Sequence, residues 1–385
     1  MPTLIRITTV PTSLQLLLTG QMKFMHKNGF NVTMISAKGN EINELIQAEN
    51  CPHIIVNLTR QITPFKDIKA VFQLIKIFKK LKPDIVHTHT PKAGLIGMLA
   101  AKISGVKVRL HTVAGLPLET TSGFKKTLLS NIERLTYACA TIVYPNSESI
   151  YCYIKANLYN HPKVKIIGKG SSNGIDLNQF SPTIPENDEI FQFKKKINYS
   201  TQKKYILAVG RIVKDKGIIE LVNAFLKFNS KNPNIELILI GTIENIRKEE
   251  NLPENILHNI KTNYKIHHVN WSNCVEQYMK ISNILVHASH REGFPNVLLQ
   301  AGAMKLPIIC SKINGNIDIV ENEKTGLHFE KESENELLQK LEFAFQNPEK
   351  IYTFAIELYS KIHQYYERNA MHRLILNEYK AQLCK

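Results

Sequence analysis

The feature that most constrains this fold is an alternation along the chain. Short runs rich in Val, Ile and Leu, apolar at successive positions rather than at every second one, are separated by segments with helical spacing. In the first half the runs are LIRITTV (4–10), NVTMISA (31–37), HIIVNL (53–58), DIVHTH (84–89), KVRLHTV (107–113), TIVYPN (141–146) and KVKIIG (163–168). Residues 65–81 and 92–104 are examples of the helical spacing between them. A strand that is apolar on both sides needs cover on both faces, and strands separated by helices pair in parallel. A polar stretch, NGIDLNQFSPTIPEND (173–188) with Pro182 and Pro185, interrupts the rhythm. It restarts in YILAVG (205–210), IELILIG (235–241), IHHVNW (266–271), NILVHAS (283–289) and PIICSKI (307–313).

The pattern predicts an α/β chain of two Rossmann-like, doubly wound parallel-sheet domains. At 385 residues the chain is longer than one ordinary core organises. The first domain is expected over 1–182 and the second over 183–360, with 361–385 a C-terminal helix packing back towards the first. In such sheets ligands sit outside the carboxyl ends of the strands, so residues just after a strand are the ones that carry chemistry. No repeat of solenoid period and no low-complexity tract is found.

Charge narrows the partners. The formal net charge is +16, and it is lopsided: residues 1–182 hold 22 Lys+Arg against 9 Asp+Glu, the remainder 27 against 24. A basic first half attracts nucleic acid, anionic lipid headgroups or a polyphosphate substrate. No recognised nucleic-acid module is present, so nucleic acid is not the expected partner. The apolar N-terminus breaks at Pro11 and lacks a charged leader region and a cleavage site, and no stretch reaches the length of a membrane span. Cys51, Cys139, Cys152, Cys274, Cys310 and Cys384 are scattered, with no metal-ligand spacing, and read as reduced thiols of a cytoplasmic protein.

Two segments carry the chemistry. In HASHREGFPNVLLQAGAMKLPIIC (287–310) a strand ends near Ser289, a loop presents Glu292, Gly293 and Phe294, and Pro295 stands where a helix begins, followed by Asn296. Unpaired N–H groups at that helix start suit a phosphate, and Glu292 with Gln300, eight positions on, can reach hydroxyls of a sugar and a ribose. In YILAVGRIVKDKGIIELVNAF (205–225), Gly210 ends a strand, Arg211 follows, and Lys216 with Gly217 opens the next helix. Two cations there oppose a diphosphate held by the other segment.

The pairing of GRIVKDKG with SHREGFPNVLLQAGA resembles the family 4 retaining glycosyltransferases of the GT-B fold, in which two such domains face each other across a cleft, and the rhythm matches over essentially the whole chain. Residues 84–117 and NGIDLNQFSP (173–182) resemble further parts of that family. The resemblance implies that Arg211 and Lys216 bind the donor diphosphate, that Glu292 contacts donor-sugar hydroxyls, and that the backbone after it holds phosphate. It implies transfer of a hexose or N-acetylhexosamine, from a UDP-linked donor, to a polyprenyl-diphosphate-linked or saccharide acceptor. Two departures stand out. Gln300 replaces the second Glu of the family's E-x7-E, keeping an acceptor oxygen but losing charge, and Ala114 replaces a common His.

Other candidates divide between site and scaffold. His87 and His89 project to one face of DIVHTHT, where they meet acceptor or donor or else serve a hydrogen-bonded core; His111 is a further cleft candidate. Trp271 reads as core or interdomain rather than as a nucleobase neighbour, and Gly315 with Asp318 resembles the family's G-x-x-E. No Asp-x-Asp occurs, so neither a metal nor another cofactor is expected. The segment FKDIKAVFQLIKIFKKLK (65–82) is basic and amphipathic: it covers a sheet, or it contacts an anionic inner membrane leaflet. Two other readings compete with transfer: a UDP-N-acetylglucosamine 2-epimerase of the same architecture, which needs more acid/base groups than are seen, and a basic nucleic-acid-binding protein.

Overall fold

The computed structural model describes residues 1–385 apart from 62, 117, 119–120, 245–249 and 385. Six strands of the first half, β1 (Thr3–Ile7), β2 (Asn31–Ser36), β3 (His53–Ile55), β4 (Ile85–His89), β5 (Val108–Val113) and β6 (Ile142–Pro145), form one sheet in the order β3-β2-β1-β4-β5-β6. Six more, β7 (Lys204–Val209), β8 (Ile235–Ile240), β9 (Ile266–Val269), β10 (Ile284–His287), β11 (Ile308–Ser311) and β12 (Leu327–Phe329), form a second in the order β12-β11-β10-β7-β8-β9. Every pairing is parallel. Counted within its own half, each sheet therefore has the doubly wound order 3-2-1-4-5-6, with the order reversing between β1 and β4 and between β7 and β10.

The continuous apolar runs are explained by burial on both sides. Ile5, Ile7 and Val86 pack under Leu74, Phe78 and Ile96, while Leu4, Met34 and Leu110 face Leu14, Met25 and Tyr379. In the second sheet Leu207, Ile238 and Leu285 meet Leu298 and Leu358, and Ile206, Leu237 and Val286 meet Phe225, Phe228 and Leu341. KVKIIG (163–168) is not a strand: Val164 makes a single bridge to Val143 and the chain turns away. β12 is Leu-His-Phe, broken by His328 and flanked by Gly326 and Glu330, so it does not show as an apolar run in the sequence.

The chain divides into two compact units, Met1–Gly174 with Arg368–Lys385, and Ile175–Glu367. The boundaries expected at 182/183 and 360/361 move to 174/175 and 367/368. The cause is packing: Ile175 and Phe180 belong to the second unit's core with Ile362 and Tyr366, and the Ile175 N–H donates to the Tyr366 carbonyl. The last helix, Arg368–Leu383, buries Met371, Ile375, Leu376 and Tyr379 in the first unit. Recounted on these units, the first holds 26 Lys+Arg against 9 Asp+Glu (+17) and the second 23 against 24 (−1).

The helix Pro64–Leu81 begins on its proline and ends where Lys82 turns left-handed. It buries Ala70, Leu74 and Phe78 but leaves Phe65 (85% exposed), Ile68 (55%) and Phe72 (62%) outside. Among the described residues no helix is long and apolar enough to cross a membrane.

Candidate active site

The two sequence segments meet in the second unit, at the crevice between the carboxyl ends of β7 and β10. Gly217, just past Lys216, has a left-handed backbone (φ +66°), and a Cβ there would lie 2.0 Å from the Ala288 carbonyl oxygen. Only glycine lets this turn press on the end of β10. The contact is locked by the His290 N–H, which donates to the Asp215 carbonyl at 2.9 Å.

Lys216 Nζ donates to Glu292 Oε1 at 2.5 Å, and His287 Nε2 lies 3.2 Å from the same oxygen. Glu292 Oε2 has no partner among the described residues. Burial opposes ionisation of Glu292, but the Lys216 ammonium and His287 outweigh it and hold the carboxyl well below the usual carboxylate range. It is thus an acceptor only, with one oxygen anchored and one free.

A third loop, after β11, completes the arrangement. Gly315 (φ +84°) sits where a Cβ would come within 2.5 Å of the Gly293 carbonyl oxygen. Ser311 Oγ donates to the Ser289 carbonyl at 2.5 Å, and Asn316 Nδ2 donates to Ser311 Oγ at 3.1 Å. Asp318 Oδ2 accepts from the Gly315 N–H at 3.0 Å, capping its own short helix. In the helix Asn296–Ala303, Pro295 is the N-cap rather than the first helical residue, with no side-chain cap bond; the Leu298 N–H donates to the Pro295 carbonyl at 3.1 Å, which leaves the Asn296 and Val297 N–H groups for an anion. Asn296 and Gln300 are half-buried on that helix, and the Gln300 amide makes no hydrogen bond among the described residues.

Three expectations change. Arg211 does not stand free beside Lys216: its Nη1 lies 3.1 Å from Glu244 and 3.3 Å from Glu250, and its Nη2 lies 3.7 Å from Asp215. The Phe294 ring is buried against Tyr366, 5.5 Å between centroids, so only its backbone faces the loop. Trp271 is 60% exposed and donates to Asn273 Oδ1, so it is not a core tryptophan.

In the first unit the three candidate histidines are all buried. His87 bonds Tyr379 Oη at 2.6 Å and Thr112 Oγ1 at 2.8 Å, and His89 Nε2 accepts from Arg6 at 2.8 Å. His111 bonds Thr88 Oγ1 at 2.8 Å and lies against Gly94, where a Cβ would come within 2.4 Å of its ring. Burial, with the Arg6 charge, pushes His87 and His89 far down, and burial takes His111 to about 4. These are core positions, and the structure does not bring them to an open surface.

Residues 189–365 match the family described as Glycosyl transferases group 1, and residues 6–147 the family described as Glycosyl transferase 4-like. The capsular polysaccharide biosynthesis glycosyltransferase CapM of Staphylococcus aureus is 36% identical over 337 residues, 87% of this chain and 86% of that protein. The chain belongs to the family 4 glycosyltransferases. An Escherichia coli UDP-Gal:alpha-D-GlcNAc-diphosphoundecaprenol alpha-1,3-galactosyltransferase is 28% identical over 320 residues, 80% of this chain and 79% of that one. The fold is the GT-B fold: a Rickettsia africae glycosyltransferase superposes with a TM-score of 0.78 at 22% identity, over 99% of this chain and 98% of that one. Anabaena HepE, solved with UDP and glucose, does so with a TM-score of 0.82 at 15% identity, over 99% and 100%.

Within this glycosyltransferase the sequence reading overlooked His287, the last residue of β10, and the acidic partners of Arg211. The strand-end rule that selects Gly210 also selects His287. Nothing local marks Glu244 and Glu250 as partners of an arginine 33 and 39 positions away.

Proposed function

We propose that this glycosyltransferase moves a hexose or N-acetylhexosamine, with retention, from a UDP-linked donor to a lipid-linked or saccharide acceptor in surface-polysaccharide synthesis. The observation that carries the reading is the Lys216–Glu292 pair at the crevice of the second sheet, beside an uncapped helix start. The helix N–H groups and Lys216 take the diphosphate, and Glu292 Oε2 accepts from a hydroxyl of the donor sugar. Gln300 faces the ribose. As the bond from the anomeric carbon to the diphosphate breaks, Lys216 stabilises the charge that develops on the leaving group. The acceptor oxygen bonds to the anomeric carbon on the same face, and its proton passes to the departing phosphate, so no side chain is assigned as nucleophile. Arg211 joins the diphosphate only by exchanging its carboxylate partners. No metal takes part in this reading, which rests on the sequence lacking Asp-x-Asp.

The names of the relatives support the class of reaction: CapM is a capsular polysaccharide enzyme and the E. coli relative uses a diphosphoundecaprenol acceptor. A membrane-borne acceptor also fits the exposed Phe65, Ile68 and Phe72, flanked by exposed lysines on a unit of charge +17 (26 Lys+Arg against 9 Asp+Glu). The test is a thermal-shift screen of UDP-, GDP- and dTDP-sugars with and without EDTA. A bound donor at a hundred times its dissociation constant adds about 2.7 kcal/mol to stability. Stabilisation by UDP-sugars, unaltered by EDTA, is the expected result; no shift with any nucleotide sugar retires the proposal.

A further inference from the structure

The first unit holds a second polar constellation, which the proposed transfer does not use, under the carboxyl ends of β4, β5 and β6. Four buried atoms there have no hydrogen-bond partner among the described residues: Gln21 Oε1, His89 Nδ1, Asn146 Oδ1 and Ser172 Oγ. All four residues line one cavity of about 20 Å³, walled also by Thr112, Tyr144 and Ile375. An atom of this kind, left dry, forfeits the hydrogen bond it made to water in the unfolded chain. Four around one cavity point to a ligand.

Proton positions narrow what the ligand is. A guanidinium only donates, so Arg6 Nη2 at 2.8 Å makes His89 Nε2 the acceptor and leaves the ring proton on Nδ1. Arg6 Nη1 also donates to Tyr379 Oη, which passes its own proton towards His87 Nδ1 at 2.6 Å, and His87 Nε2–H then donates to Thr112 Oγ1 at 2.8 Å. Gln21 Nε2 is spent on the Ser172 carbonyl at 3.0 Å and Asn173 Oδ1 at 3.1 Å, which leaves its oxygen over. The cavity therefore offers one N–H donor, two amide oxygens and one hydroxyl. A cation meets the His89 N–H with Arg6 behind it. A phosphate or carboxylate is too large and faces two amide oxygens. A water accepts from His89, donates to Gln21 and Asn146, and needs only ~10–15 Å³.

We propose that this cavity is a built water site, and that its water anchors the segment through which the chain leaves the first unit. That segment ends at Gly174, the unit boundary, and is already held from several sides. Asn173 Oδ1 accepts from His372 Nε2 at 2.7 Å as well as from Gln21, and Asn173 Nδ2 donates to the Thr19 carbonyl at 2.9 Å. Ser171 Oγ accepts from the Gly174 N–H at 2.9 Å, and the Ser171 N–H donates to the Asn146 carbonyl at 2.7 Å. The water ties strand ends, through His89 and Asn146, to the exit segment, through Ser172, and to the start of the helix Gln21–Lys27.

The experiment uses crystals of the full chain without ligands, together with hydrogen exchange in solution. An isolated density peak within ~2.6–3.2 Å of His89 Nδ1 and of Gln21 Oε1 or Asn146 Oδ1 is expected. An empty cavity, or a His89 ring protonated on Nε2 by ¹⁵N NMR, overturns the proposal. Asn146→Leu fills the cavity with an apolar group, so deuterium exchange of the Asn173 and Gly174 amides should rise roughly tenfold while amides of β7 and β10 keep their rates. Unchanged exchange overturns the anchoring role. Ser172→Ala, which removes one partner without adding bulk, gives the same readout should Asn146→Leu fail to fold.

Discussion

The two units share one strand order and place their polar groups in opposite ways. In the second unit the charged residues at the reversal of strand order stand on loops, where Lys216 meets Glu292 and one carboxylate oxygen stays free. In the first unit they stand on the strands themselves: Arg6 on β1 and His87 and His89 on β4 lie sealed beneath the C-terminal helix with Tyr379. The difference teaches that the doubly wound sheet offers a crevice, and that the loops decide whether it binds. Arg6, His87 and His89, held within the strands and buried, become scaffold. The charge divides along the same line, +17 (26 Lys+Arg against 9 Asp+Glu) against −1 (23 against 24), so the unit without the loop-borne site carries the basic surface.

Acid should separate the units most strongly. His87, His89, His111 (about 4) and His372 (about 3), all of the first unit, have folded pKa values lowered first by burial. Their unfolded forms bind protons below about 6.5, so each contributes stability that is present above that pH and is lost below it, by up to about 1.4 kcal/mol per pH unit. Glu133, raised by burial to about 7, and Glu49, also raised by burial, work the other way. In the second unit Glu292 and Glu236 (about 2) are depressed, so their contribution fades only below about pH 4.3. Trp271, the single tryptophan, lies in the second unit. On titration from pH 7 to 4.5, far-UV circular dichroism should change before Trp271 fluorescence; coincident transitions would break the comparison.

The basic surface is tested next. Replacing Lys69, Lys76, Lys79 and Lys80, all exposed, by Gln should release the protein from anionic vesicles, at about 1 kcal/mol per lysine, and leave donor hydrolysis intact. Salt should mimic the substitutions. Vesicle sedimentation showing no binding by the unaltered protein would remove the membrane from the account. Retained binding by the variant would move the surface to exposed Phe124 with Lys125 and Lys126.

Lys216→Ala should cut turnover roughly tenfold to a hundredfold, the loss of about 1.5–3 kcal/mol of contact to the leaving diphosphate. Arg211→Ala should cost less, because Arg211 already shares its charge with Glu244, Glu250 and Asp215. Equal losses in steady-state assays would show that Arg211 exchanges partners freely on donor binding. Tyr379→Phe leaves Arg6 and His87 each short of a partner and should cost ~1–2 kcal/mol in denaturant unfolding, with turnover per folded molecule unchanged. A fall in turnover would bring the strand-borne network into the reaction. The smallest effect is Gln300→Glu: calorimetry should show nucleotide binding a few-fold tighter, as a carboxylate accepts from both ribose hydroxyls. Weaker binding would mean that the amide's N–H is in use.

Much of this was legible because it is local. Strands buried on both faces must be continuously apolar, so eleven of the twelve appear as runs, and β12, interrupted by His328, does not. KVKIIG has the composition of a strand but makes only the single bridge from Val164 to Val143 of β6 before the chain turns away. Lys216 and Glu292 could be paired from sequence because both follow strands, and the carboxyl ends of neighbouring parallel strands converge.

By itself the sequence determined the period of the strands, the class of fold and the loops that bear charge, all properties of a few consecutive residues. Only the tertiary structure decided which groups those charges meet. It moved the unit boundary to Gly174 through the packing of Ile175 and Phe180, surrounded Arg211 with distant carboxylates, and closed Tyr379 over His87 from 292 positions away. Hydrogen bonds and ion pairs depend on separation in space, which residue spacing along the chain does not encode.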